Sequence, residues 1–545
     1  METKTKYLLI LLGIGILIFL FKIGFRDLWE PDETRYAVVA REMRETGNWV
    51  VPHLNGTIYT EKPPLFFWLI NLSTFFLGET TELANRLPSA LAGLITMFMT
   101  FLFGTKLFSA RVGLISGLVL GTCFFFPQIS RWMMLDSLFC LWFLLAIYYL
   151  YQGINSPAKQ GLNFLLACIF MALGTLTKGP IGYLPIPIFL ICSIMMKEFR
   201  KIWNRNLLYA VFLSVGLVMA WLLPAIGMAG KTYGTQNVLH QTIGRFIGGW
   251  SHPEAFYFYF IRFPLGFFPW IIFLPWAFSY ALSQMKNERR EELLLFVWFA
   301  FIFLFFTFSK GKKDNYLLPL YPAASILVGR WLAIFWGPSE ESGKTNGKLW
   351  IPMGLVTLLF LIVWLIILLR PYQWVPWGVP WGAPREIDVY LPFAVWPLFF
   401  IVFGGVLSLI FLLRRWNRLS VSCLFTALII TQVYLSMTVP PWFNKVKSMK
   451  PFSRQILLRI APNDELKIWR FQSTGLLYYT GRQIEQIKKV DRFLQVYYTP
   501  HRVFMVVEEE DFRRLKGQVD VCFHLVERAK VGHRILWLVS NQAVQ

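Results

Sequence analysis

The chain has 545 residues and a formal charge of +22, from 53 Lys and Arg against 31 Asp and Glu, yet 56% of its residues are apolar and only 15% are charged. Soluble globular chains are typically about 25% charged and disordered or nucleic-acid-binding chains carry more, so the composition excludes these classes and with them a nucleic-acid partner. At about 20 apolar residues per crossing, there is room for a dozen or more membrane helices and a modest soluble remainder. The lipid bilayer is the first partner.

In chain order, apolar runs long enough to cross a bilayer are predicted at 7–25, 87–105, 112–127, 134–150, 162–176, 180–196, 207–228, 256–283, 293–308, 316–336, 350–369, 390–413 and 420–440, thirteen in all. The first follows Lys4 and Lys6 without a small-residue cleavage site and reads as an uncleaved span. Leu65 to Gly78 is short and follows Pro63-Pro64, which suits an interfacial or re-entrant helix. With the N-terminus cytoplasmic, Lys106 and Arg111, Lys159, Lys197 to Arg205, Lys286 to Arg290, Lys344 and Lys348, and Arg414 to Arg418 all fall on the inside, as the positive-inside rule requires. An odd count puts the C-terminal tail on the opposite side. Residues 26–64 form an acidic outer loop with an amphipathic stretch that places Tyr36, Val39 and Met43 on one face. The expected division is a transmembrane domain, 1–440, with the first outer loop and its juxtamembrane helices at 26–86, and a soluble α/β domain, 441–545. In the latter the short apolar runs Leu466–Phe471, Val503–Val507, Val519–Val526 and Ile535–Val539 alternate with charged stretches. Cys123, Cys140, Cys168, Cys192, Cys423 and Cys522 read as core thiols.

The charges left on the outer side are few: the first-loop acids, Glu61-Lys62, Arg131 and Asp136, Lys178, His240 and Arg245, and Lys310 with Lys312-Lys313. Lysines on that side are either snorkelling helix ends or part of a water-accessible site for a phosphate-bearing ligand. Asp32 is either a helix cap or a general base or partner for a cationic substrate. The prolines after Glu61-Lys62 force an extended or turned backbone; the pair is a solvated turn, or Lys62 meets a phosphate and Glu61 a metal. Asp136 pairs with Arg131 or serves as a second acid. His240 without a nearby second ligand reads as a polar loop contact or a lone metal ligand, and Arg245 as a phosphate partner.

Leu28-Trp29-Glu30-Pro31-Asp32-Glu33-Thr34-Arg35-Tyr36, Val51-Pro52-His53-Leu54-Asn55-Gly56, Tyr59-x-Glu61-Lys62-Pro63 and Asn85-Arg86-Leu87-Pro88 closely resemble the aminoarabinose lipid A transferases, within the protein-mannosyltransferase-like superfamily. The resemblance is strongest over 28–136. It implies a polytopic α-helical GT-C fold of about thirteen transmembrane helices, interfacial helices in the first periplasmic loop and a small periplasmic C-terminal domain. It also implies a multi-pass enzyme of the bacterial inner membrane, its site facing the periplasm, that moves 4-amino-4-deoxy-L-arabinose from undecaprenyl phosphate to lipid A phosphates. Carried over by position, Asp32 matches the catalytic aspartate, with Arg35 and Tyr36 its motif neighbours. Glu61 and His240 match a divalent metal pair, the ion expected to be zinc. Tyr59, Lys62, Arg245 and Tyr316 match groups around the carrier phosphate, Lys313 belongs to the lysine cluster beside them, and Asp136 matches a further acid. The Pro-Pro-Leu form after Lys62 is shared across the wider superfamily, which leaves open a transferase moving another sugar to protein or another glycan. A lipid transporter or flippase would place its ionisable groups nearer the midplane.

Overall fold

The computed structural model describes residues 2–234, 253–285, 290–336, 346–369, 384–517 and 524–543. Among them, nine helices are long and apolar enough to cross a bilayer: Thr3–Phe25, Glu82–Leu107, Leu135–Asn155, Pro157–Lys178, Arg205–Ala229, Arg290–Phe308, Lys348–Leu369, Phe393–Leu413 and Asn417–Lys447. The pair Ala110–Thr122 and Phe125–Arg131, bent by 67°, passes the same test together, as a broken span or a re-entrant loop. The other three expected runs are helical but broken. Proline lacks the amide hydrogen and its ring clashes with the preceding turn, and prolines stand where these runs break. Pro180 and Pro185 open two successive short helices, ending at Met195. Pro269 separates Phe258–Phe267 from Trp270–Ile272 and Leu274–Met285, and Pro319 lies in the 3-10 turns Asp314–Leu320 ahead of Tyr321–Leu332. Leu65–Leu77 is a short apolar helix, as expected of an interfacial element.

Local capping sets several boundaries. Ser109 Oγ accepts from the amide of Val112, and Asn204 Oδ1 accepts from those of Asn206 and Leu207, satisfying amides that the first helical turn leaves without partners. Helices approach closely through small residues, since lipid supplies no hydrophobic drive between them. A Cβ on Gly329 would lie 2.3 Å from Ser116 Oγ and 2.8 Å from Ser116 N, so Tyr321–Leu332 meets Ala110–Thr122 at a distance only glycine allows. Cys123, Cys140, Cys168 and Cys192 are buried and Cys423 is half-buried, as core thiols should be; Cys522 lies outside the described residues.

By contacts the chain separates into two units. The first comprises 1–23, 61–66 and 87–438 and holds the large apolar core, from Leu11 through Trp298 to Leu428. The second comprises 24–60, 67–86 and 439–545. The first outer loop therefore groups with the C-terminal domain rather than with the membrane helices.

In the second unit, β1 (His53–Leu54) and β2 (Thr57–Ile58) form a short antiparallel ladder. The main sheet contains β3 (Glu465–Trp469), β4 (Glu485–Ile487), β5 (Val503–Glu508), β6 (His524–Val531) and β7 (Arg534–Ser540), in the order β4-β3-β5-β7-β6. β4, β3 and β5 are parallel; β7 runs antiparallel to both β5 and β6. The parallel strands are connected by helices Thr474–Thr480 and Val490–Tyr497, as parallel pairing demands a crossover. β5 is buried on both faces: Phe504 and Val506 join one core, Val503, Met505 and Val507 the other. Its five-residue apolar run without alternation is the signature of such a strand. Gly532, at φ +62°, supplies the left-handed residue between β6 and β7.

Candidate functional site

The first cluster belongs to the second unit. Asp32 opens helix Asp32–Thr46; the N-cap position is Pro31, which makes no side-chain cap bond. Asp32 is thus not the cap. Its carboxylate is ion-paired with Arg35 one turn on, and both side chains remain about one-fifth exposed. The Arg35 guanidinium lies 5.5 Å from the centre of the Tyr36 ring. Tyr36, Val39 and Met43 are all buried, matching the expected apolar face. Tyr36 and Tyr59 flank Phe67 at ring-centroid distances of 6.0 and 6.1 Å, and the Tyr59 amide donates to the Pro52 carbonyl at 2.8 Å.

Beside Asp32, Glu33 is buried in a clasp whose role the sequence did not reveal. Its carboxylate accepts from Arg26 Nη2 (2.6 Å), Arg86 Nε (2.8 Å), Arg86 Nη2 (3.0 Å) and the Trp29 amide (3.0 Å). Arg86, fully buried, also donates to the carbonyls of Arg26 and Asp27. A buried carboxylate needs compensation of this kind. The signal available in the sequence was the Asn85-Arg86-Leu87-Pro88 motif, which marked Arg86 without naming its partner.

The second cluster belongs to the first unit. Asp136 is buried in the first turn of Leu135–Asn155; it is ion-paired with Lys178 and accepts from Asn315 Nδ2 at 2.7 Å. Lys178 Nζ also stands 4.7 Å from the centre of the Tyr316 ring and 5.2 Å from that of Phe139, positions favourable for a cation over a π face. The alternative pairing of Asp136 with Arg131 is incorrect: Arg131 instead donates to the carbonyls of Ile18 and Phe21 at 2.7 and 2.8 Å. Lys178 was legible as a charge at the end of an apolar run, whereas Asn315 carried no signal of its own.

The lysine cluster is divided in use. Lys312 is buried and donates to the carbonyls of Glu254 and Ser309 at 3.1 and 2.5 Å, and its burial lowers the ammonium pKa. The backbone of Lys313 is held by the Tyr259 hydroxyl, which donates to its carbonyl at 3.1 Å and accepts from its amide at 3.3 Å. Lys313 is half-buried and Lys310 exposed. Glu61 and Lys62 are half-buried in the turn before Leu65–Leu77. His240 and Arg245 lie outside the described residues. Among the described residues no three His, Cys, Asp or Glu side chains gather as a metal site.

The arrangement is thus two charged clusters of a multi-pass membrane protein, one around Asp32 and one around Asp136 and Lys178. The family model of the dolichyl-phosphate-mannose-protein mannosyltransferases matches residues 61–224. The undecaprenyl phosphate-alpha-4-amino-4-deoxy-L-arabinose arabinosyl transferase of Enterobacter sp. (strain 638) is 30% identical over 412 residues, covering 72% of this chain and 71% of that protein. The chain belongs to the aminoarabinose transferase family. Like the other members of that family it is a glycosyltransferase. An uncharacterised protein of Aquifex aeolicus (strain VF5) is 28% identical over 491 residues, 89% of either chain. The crystal structure of ArnT from Cupriavidus metallidurans bound to undecaprenyl phosphate matches with a TM-score of 0.79 at 18% identity, covering 99% of this chain and 98% of that one. At that identity the likeness establishes the polytopic GT-C fold, which this family member shares along nearly its whole length.

Proposed function

We propose that the protein transfers 4-amino-4-deoxy-L-arabinose from undecaprenyl phosphate to phosphate groups of lipid A, at the periplasmic face of the bacterial inner membrane. The observation that carries this reading is the 30% identity to an arabinosyl transferase across more than two thirds of its length. In the reaction, the bond from the sugar's anomeric carbon to the carrier phosphate breaks, its electron pair leaves with undecaprenyl phosphate, and an oxygen of the acceptor phosphate bonds to the anomeric carbon. Negative charge develops on the departing phosphate, and cationic groups aimed at that charge lower the barrier. Lys62 and Arg245 are assigned this role, with Arg35, Tyr36, Tyr59, Lys313 and Tyr316 around the carrier phosphate. An acceptor phosphate is already ionised and needs no base. Asp32 is therefore assigned to hold the cationic amino group of the sugar, and Asp136, ion-paired with Lys178, is assigned as a further acid for the reaction.

A divalent metal at Glu61 and His240 belongs to the same proposal, supported by donor type: a carboxylate oxygen and an imidazole nitrogen suit zinc. No step is routed through it. Dialysis against a chelator, followed by metal analysis of the protein, tests this part; a metal-free protein that binds no added zinc removes it.

The match to the mannosyltransferase model at 61–224 supports a second reading, transfer of another lipid-linked sugar to protein or another glycan. Mass spectrometry of lipid A from cells with and without the gene separates the two. The proposal expects an aminoarabinose mass increment only when the gene is present, lost in Asp32→Asn and Lys62→Ala while both variants remain folded in the membrane. Unchanged lipid A masses would favour the second reading.

A further inference from the structure

The segment around Asp32 is held from the C-terminal domain. Glu30 Oε1 accepts from Ser473 Oγ and from the Gly475 amide, both at 2.5 Å. The Thr34 and Thr474 hydroxyls share a bond of 2.6 Å, and Thr474 Oγ1 donates to the Pro31 carbonyl at 3.3 Å. The Leu28 amide donates to the Tyr479 hydroxyl at 2.7 Å, and burial raises the pKa of that hydroxyl well above its ordinary value. Residues 28, 30, 31 and 34 are thus gripped by 473–479, while the adjacent Glu33 is clasped by Arg26 and Arg86. Asp32 sits between these anchors with its carboxylate directed to Arg35.

Gly475 is part of the fit. A Cβ there would come 2.9 Å from Glu30 Oε1 and 2.9 Å from Met449 Cβ, so any side chain would push the Glu30 carboxylate away. Ser473 has a second task, accepting from the Leu476 amide at 3.1 Å as the cap of helix Thr474–Thr480. This ties the placement of Glu30 to the folded state of the C-terminal domain.

We propose that Ser473, Thr474 and Gly475 are positioning residues for the transfer reaction: acting through Glu30 and Thr34, they fix the loop that aims Asp32. This rests on the assignment of Asp32 to the reacting sugar. A displacement of about 1 Å in a reacting geometry can cost roughly 100-fold in rate, and several supporting hydrogen bonds to one loop are what hold it to that tolerance.

A separate tie between the same two stretches of chain supplies the control. Asn55 Nδ2 donates to the Ile484 carbonyl at 2.7 Å, and the Ile484 amide donates to Asn55 Oδ1 at 2.9 Å. The test compares full-length Ser473→Ala, Gly475→Ala, Glu30→Ala, Glu30→Gln, Asn55→Ala and Asp32→Asn for kcat, donor KM, thermal midpoint and hydrogen exchange of the peptide spanning 28–36. Ser473→Ala, Gly475→Ala and Glu30→Ala are expected to lower kcat roughly 10- to 100-fold at nearly constant donor KM, with faster exchange over 28–36. Glu30→Gln, whose amide oxygen still accepts both bonds, is expected to keep most of the activity. Asn55→Ala is expected to lose a comparable amount of stability yet retain kcat. Losses of kcat that follow stability in every variant, Asn55→Ala included, overturn the positioning role. Unchanged kcat in Ser473→Ala and Gly475→Ala, with Asp32→Asn inactive, overturns it alone; an active Asp32→Asn overturns the assignment of Asp32 beneath it.

Discussion

Asp136 and Lys178 face one another with side chains 4% and 6% exposed, and a pair so placed is costly to halve. Removing one partner leaves the other charge buried and uncompensated, at about 3–5 kcal/mol. Lys178→Ala is therefore expected to lower the thermal midpoint of the detergent-solubilised protein markedly, and the double variant Asp136→Asn, Lys178→Gln to recover most of that loss. If the pair serves transfer as proposed, the double variant is stable and inactive; near-normal transfer by it would confine the pair to a structural role. Asp136 could be read from the sequence as an acid at the outer end of an apolar run. Its partner could not, because the natural candidate was Arg131, five residues away. Arg131 is taken up by the carbonyls of Ile18 and Phe21, which the irregular end of the first helix leaves in need of donors. A charge's nearest neighbour in sequence is a poor guide where backbone carbonyls compete for the same cation.

Elements built on a strong hydrophobic signal were the most legible. The runs at 466–471, 503–507 and 535–539 became β3, β5 and β7 with small shifts at their ends. Most of the long apolar runs became continuous helices, and three, at 180–196, 256–283 and 316–336, broke where prolines stand that hydropathy alone does not weigh. Close helix packing left less trace, since a glycine in an apolar run gives no sign of what it faces. Gly329→Ala is expected to destabilise the membrane domain by about 1–3 kcal/mol, because the backbone of Ser116 must move to admit a methyl group; an unchanged thermal midpoint would show that the two helices can separate without cost.

The C-terminal sheet carries its own pH dependence. Burial alone would raise the pKa of Asp464, but hydrogen bonds from Arg502 and the Ala461 amide and the charge of Arg482 outweigh it and hold the carboxyl below its ordinary value. A depressed folded pKa contributes stability above the unfolded aspartate value near about 3.9, and that contribution is lost as pH falls through the folded value. Lys467 has the opposite sign: burial would lower its pKa, but Glu465 and Glu485 raise it, so its contribution is present at neutral pH and disappears as pH rises beyond the ordinary lysine range. The Asp464→Asn protein is expected to be less stable than the parent at neutral pH and to lose less on acidification. A parallel pair of acid unfolding curves would assign the acid sensitivity to other groups.

At the scale of the whole molecule, the sequence made the membrane class, the helical character of the apolar runs and the sheet-bearing C-terminal domain visible. It did not show that the first outer loop folds with that domain. The ties responsible, from Glu30 to Gly475 and from Asn55 to Ile484, join residues more than 400 positions apart, and neither periodicity nor motif spacing encodes such pairings. The consequence for function is that the carboxylate proposed to hold the sugar and the C-terminal domain form one unit. The central claim, that the protein catalyses sugar transfer from a polyprenyl phosphate, is tested most directly by supplying the purified protein with undecaprenyl phosphate-linked aminoarabinose and lipid A and quantifying both products. The expected result is undecaprenyl phosphate and aminoarabinosyl lipid A formed in equal amounts, and neither formed by Asp32→Asn. Intact donor recovered alongside unmodified lipid A, or donor carried unchanged across a vesicle membrane, would contradict it.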